Sequence, residues 1–170
     1  MSRIGAWLAH LVHAVPSEEM AGAQLDGPYW EVRHRGVDHA EFLRRIPALV
    51  PEGSVLVLEG GSPSSQLQGF LKEHAIAPRT KVARGTVWPR ADIVHLPASA
   101  QVLGGLADHA ERCAYPELCT HLHVRSAGRV VVQWYDAFSA PCYVSKELSA
   151  ERLEAFCAEL GTSYQNGRGA

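Results

Sequence analysis

The chain alternates short apolar runs with stretches of helical spacing. At its start Ile4, Trp7, Leu8, Leu11 and Val12 follow the i, i+3, i+4, i+7, i+8 stripe, predicting an amphipathic helix over residues 1–14 docked on the domain. Residues 16–27 read as a short turn or loop, punctuated by Gly27-Pro28. One arrangement then recurs three times: an extended segment, a turn of small residues, and a helix with a capping side chain. YWEVRHRG precedes VDHAEFLRRI, where Asp38 caps and Glu41 completes a capping box. GSVLVLEGG precedes SPSSQLQGFLKEHA, with Ser62 as cap and Pro63 at the first helical position. ADIVHLPA precedes SAQVLGGLADHAERC, with Ser99 as cap.

SVLVLE and DIVHLP are unbroken apolar runs, not alternations. Such runs suit strands covered on both faces, as parallel strands are beneath crossover helices. After residue 120 the character changes. THLHVRS and RVVVQWYDAF flank Ser126-Ala127-Gly128, which predicts an antiparallel hairpin, and PCYVSK predicts a third strand. Ser149 caps SAERLEAFCAEL, Gly161 stops it, and residues 162–170 predict a frayed tail. The sum is one domain over residues 1–170, of α/β class with α+β as the alternative. Its sheet is expected to be mixed: about three parallel βα units, then a C-terminal antiparallel meander and a closing helix.

Composition narrows the classes. A chain of 170 residues, 46% hydrophobic and 20% charged, is ordinary globular material. It buries enough surface to fold without a metal or disulfide. With 16 basic and 18 acidic side chains, net charge −2, nothing recruits nucleic acid or an anionic membrane globally. A local basic stretch, Arg79, Lys81, Arg84 and Arg90 around Trp88, reads as a solvated strand or loop. No run has the length of a membrane span. The N-terminus loosely mimics a secretory signal, but His10 and His13 interrupt the apolar run and Glu18-Glu19 follow it. Cys113, Cys119, Cys142 and Cys157 form no C-x-x-C pair, so reduced thiols and a cytoplasmic location are expected.

Candidate chemistry falls in two places. Under a parallel reading, Glu59 and His95 sit at strand carboxyl ends, where open α/β sheets bind ligands. Gly60, Gly61, Ser62, Ser65 and Ser99 then supply helix N-termini suited to an anion. Glu59 and His95 would serve as base and acid, or His95 would activate Ser64. EGGSPSS matches no phosphate-loop or nucleophile-elbow pattern, and small residues are what any such turn and cap require. The second place is the hairpin. Side chains alternate along strands, so His121, His123 and Arg125 share one face, joined across the turn by Gln133 and Tyr135. Two histidines at i, i+2 are half a metal site. Cys119, Asp92, His95 or Asp136 would have to complete it. No metal and no cofactor is expected, and the polar face is read as a site for a small polar molecule or a protein partner. Cys142 lies among apolar neighbours, a poor setting for a nucleophile. The aromatic residues are expected mostly in the core. The leading expectation is a non-catalytic interaction or small-ligand-binding module. A small acid/base or hydrolytic enzyme built around Glu59, Ser62–Ser65 and His95 is the alternative.

Overall fold

A computed structural model describes residue 25 and residues 27–33, 35–77 and 93–167. The expected helix over 1–14, the basic stretch 79–90 and Asp92 lie outside the described residues. In chain order the elements are β1 (Tyr29–Val32), α1 (His39–Leu49), β2 (Val55–Glu59), α2 (Ser65–His74) and β3 (Ile93–Pro97). There follow α3 (Ala100–Ala110), the short α4 (Tyr115–Leu118), β4 (His121–Ser126), β5 (Arg129–Trp134), β6 (Cys142–Ser145), α5 (Ala150–Glu159) and β7 (Tyr164–Asn166). The strands form one sheet in the order β3-β2-β4-β5-β6-β1-β7.

The α/β class, the βα units, the hairpin and the closing helix are all present. The sheet is not mixed, however: every pairing among the described strands is antiparallel. The reason lies in the strand order. β3 and β4 run the same way, and α3 carries the chain between them, but antiparallel β2 is inserted in the gap. β1 and β2 also run the same way, joined through α1, with three strands between them. The crossovers are real, yet they skip neighbours. The unbroken apolar run of β2 reflects burial of both faces, since Val55, Leu56, Val57 and Leu58 are all buried.

Up to the irregularity at Val124/Arg125, beyond which Val130 pairs with Arg125, even-numbered residues of β2–β6 point to the helices. Leu56, Leu58, Leu96, Leu122, Val124, Val132, Trp134 and Val144 meet Phe42, Leu43, Ile46, Leu103, Leu106, Leu153 and Phe156 in one core. Each such side chain contributes about 1.5–3 kcal/mol when fully buried. The Phe42 and Trp134 rings pack at 4.5 Å, anchoring α1 to the hairpin. Asp38 caps α1 by accepting the Glu41 N–H at 2.8 Å, while the Glu41 carboxylate engages Arg45. Helix α2 begins two residues later than expected: Ser64, not Ser62, is its cap, accepting the Leu67 N–H at 3.3 Å.

The C-terminal segment is not frayed through its length. Residues 164–166 form β7 and pair with β1, and Arg33 N–H donates to the Ser163 carbonyl at 3.0 Å. The β4–β5 turn places Ala127 and Gly128 at φ 49° and 83°, the left-handed pair of a two-residue hairpin.

Candidate functional site

Antiparallel pairing rearranges the expected strand-end site. Val55 faces Pro97 and Glu59 faces Ile93, so the carboxyl ends of the neighbouring strands β2 and β3 point out of opposite ends of the sheet. Gly60, Gly61, Ser62, Ser64 and Ser65 therefore gather at one end and Ser99 at the other. Ser99 caps α3 through the Val102 N–H and borders a separate hollow of about 630 Å³ with Pro97, Glu52 and Arg152. Ser64 is committed to capping α2, whose Leu67 and Leu71 enter the helix-side core. It is not brought to His95.

Glycine at 60 and 61 has a structural cause. A Cβ on Gly61 would stand 2.8 Å from the Leu118 carbonyl oxygen, at φ 103°, and one on Gly60 would stand 2.6 Å from Thr120 Oγ1. Thr120 N–H donates to the Glu59 carbonyl at 2.8 Å, and Ser62 N–H to the Glu117 carbonyl at 3.2 Å. The loop is stitched to residues 117–120, and its glycines admit that close approach.

The second place is assembled as the alternation predicts. His123 pairs with Val57 on one side and Gln133 on the other, Val57 with His95, and Gln133 with Tyr143. One row thus crosses the sheet on the face opposite the helices: His95, Val57, His123, Gln133, Tyr143, Glu31 and Gln165. Glu59 pairs with His121, not with His95, which stands one row away on the same face. The Tyr135 ring lies edge-on to both His121 and His123, at centroid distances of 5.0 and 5.2 Å.

Two features here were not legible in the sequence. Asp136, which strict alternation would put on the other face, turns back at φ 42° just past the end of β5, and its N–H donates to His121 Nδ1 at 3.0 Å. In that bond His121 Nδ1 is the acceptor, which leaves Nε2 pointing away from Asp136 as the other ring nitrogen. The Asp136 carboxylate stands 4.0 Å from the same nitrogen. The other feature is His123. Its side chain is 3% exposed, and neither ring nitrogen has a hydrogen-bond partner among the described residues. Burial, then the charges of His121 and Arg125, push its pKa down to about 4. Burial and Arg125 likewise push His95 down, and burial together with Glu59 pushes the Tyr135 hydroxyl up.

Around this row the face is partly concave. Gln133 is 8% exposed and accepts the Leu25 N–H at 2.7 Å. With Leu25, Tyr29 and Tyr143 it lines a hollow of about 240 Å³. Arg125 borders the same face and donates to the Gly128 carbonyl. For a metal, His121 and His123 lack a third ligand: the described residues contain no group of three His, Cys, Asp or Glu placed to hold an ion. Cys119 enters the helix-side core, its thiol pushed up to about 12 by burial and by Cys113. Cys142 is buried, with its thiol raised first by burial and then by Cys157, which opposes nucleophilic use.

Compared with protein-family models, curated proteins and solved structures, the chain matches none.

Proposed function

We propose that this protein is a binding module that holds a small polar molecule on the face of its sheet opposite the helices, around His123 and Gln133. The observation that carries this reading is the His123 imidazole, enclosed with neither nitrogen partnered among the described residues. A buried polar group left in that state costs about 1–3 kcal/mol, so such a group is retained where something supplies its partners. Gln133, beside it, and the 240 Å³ hollow next to Gln133 add an amide and room for a few heavy atoms. The row offers donors and acceptors on a rigid scaffold, which favours orientation of a ligand.

The test is amide shift mapping on the full chain with acetate, acetamide, phenol and imidazole. Shifts that saturate and cluster at residues 121–125 and 131–135 support the reading. Saturating shifts confined to the hollow at Ser99 and Arg152, or none at all, contradict it.

A second reading, acid/base catalysis, has its own observation. Glu59 pairs directly with His121, whose Nδ1 is engaged by Asp136, leaving Nε2 as the proton carrier. This moves the catalytic pair from Glu59 and His95 to Glu59 and His121. Hydrolysis of activated esters that survives His95→Asn but falls at least tenfold in His121→Asn would favour it over binding alone.

A further inference from the structure

The sheet is buried on both sides, while the described helices pack on only one of them. Val55 and Val57 of β2 and Val130 of β5 are 5%, 7% and 6% exposed, yet none of the three belongs to the core beneath the helices. They lie on the opposite face: Val57 pairs with His123, and Val55 and Val130 both pair with Arg125. An antiparallel sheet with one face in water would leave such side chains exposed. Their burial calls for a covering layer that α1, α2, α3 and α5 do not supply.

The chain points to that layer. Leu25, where the described residues begin, is held on this face, since its N–H donates to Gln133 Oε1 at 2.7 Å and it lines the hollow with Tyr29 and Tyr143. The residues before it therefore join the domain from this side. In sequence they carry the stripe Ile4, Trp7, Leu8, Leu11 and Val12, a one-sided apolar surface that is stable only against a partner. Val12 is 13 residues from Leu25, a length of chain that reaches at most about 45 Å. Gln133 on β5 and Val57 on β2 are two strand spacings apart, about 10 Å, so the stripe reaches the valines easily. The stretch 78–92 is the poorer match, because Arg79, Lys81, Arg84 and Arg90 would add cations to a face that already carries Arg125.

We propose that residues 1–24 cover the face of the sheet opposite the described helices, with the stripe Ile4, Trp7, Leu8, Leu11 and Val12 seated on Val55, Val57 and Val130 beside the His123 ring. The domain is then three layers, with the sheet in the middle. This goes beyond the reading of the face as a binding site, and either can fail without the other.

The experiment uses the full chain with carbon-13 in the valine methyl groups. The expected result is nuclear Overhauser contact between the Trp7 ring and the methyls of Val55, Val57 or Val130. A sample mixing labelled and unlabelled chains separates contact within one chain from contact between two. Leu8→Asp/Leu11→Asp should shift those three valines and leave Val144, in the helix-side core, in place. It should also raise the titration midpoint of His123 from about 4 by about one unit or more, as water reaches the ring. The contacts in the unsubstituted chain decide the question even where the variant does not fold. Contacts from Trp88 in place of Trp7 would give the face to residues 78–92 and overturn the proposal. Contacts seen only between labelled and unlabelled chains would give it to a second copy, with the same consequence. Valine methyls and a His123 midpoint unmoved in a folded Leu8→Asp/Leu11→Asp chain would overturn it as well.

Discussion

At the scale of single residues, the face is governed by what burial does to an imidazole. His123 is neutral in the fold because its charged form is desolvated and faces His121 and Arg125. Its folded pKa of about 4 lies below the ordinary histidine value of about 6.5, so the unfolded chain binds the extra proton first. Stability from this group is therefore complete above pH 6.5 and declines as pH falls toward 4, by about 3 kcal/mol in all. Urea unfolding at pH 7 and at pH 4.5 measures it. His123→Phe should flatten that part of the acid slope. At pH 7 the same substitution should raise stability by about 1–3 kcal/mol, since it removes two buried polar atoms that have no partner among the described residues. A loss at pH 7 would mean that the ring is satisfied in the free protein. The shared face of His121, His123 and Gln133 was legible from alternation alone. The orphaned state of His123 was not, because partners are set by neighbours in space, and Asp136 escaped alternation because the strand ends before it.

At the scale of elements, two turns make opposite predictions. Gly61 meets the Leu118 carbonyl and has φ 103°, so Gly61→Ala must displace the 117–120 segment or strain its own backbone. A loss of about 2–4 kcal/mol is expected in denaturant unfolding. Ala127 has φ 49° in the hairpin turn, a conformation that asparagine adopts more readily than alanine. Ala127→Asn should gain about 0.5–1 kcal/mol without moving β4 against β5. The sequence announced both turns through their small residues. It also offered Gly60 and Gly61 as an anion cradle, since composition alone does not separate a glycine that admits a ligand from one that admits another stretch of backbone. The Ser64 cap shows the same limit: Ser62 and Ser64 are equally good caps, and packing of Leu67 and Leu71 decides between them.

At the scale of the molecule, apolar runs reported burial and were read as strand direction. β2 is buried on both faces, as its sequence implies, yet its neighbours on either side are antiparallel. Direction depends on which strands the crossovers skip, and no local pattern encodes that. The C-terminus carries a similar lesson, because Tyr164 is half-buried near Trp30 in an edge strand that polar composition disguised. A chain ending at Gly161 should lose about 1–3 kcal/mol and show a lower Tm, since β1 then loses one of its two neighbouring strands and the half-buried Tyr164. The other side of this sheet encloses the His123 imidazole, which has no hydrogen-bond partner among the described residues, and it is there that the proposed binding face lies. The most direct measurement is the titration of His123 in the ligand-free full chain, followed through its ring nitrogens by NMR. Enclosure of the ring predicts that it stays neutral down to about pH 5, with a midpoint near 4. A midpoint near 6.5 would contradict it, because the ring would then be solvated and the face open water, not an enclosed site.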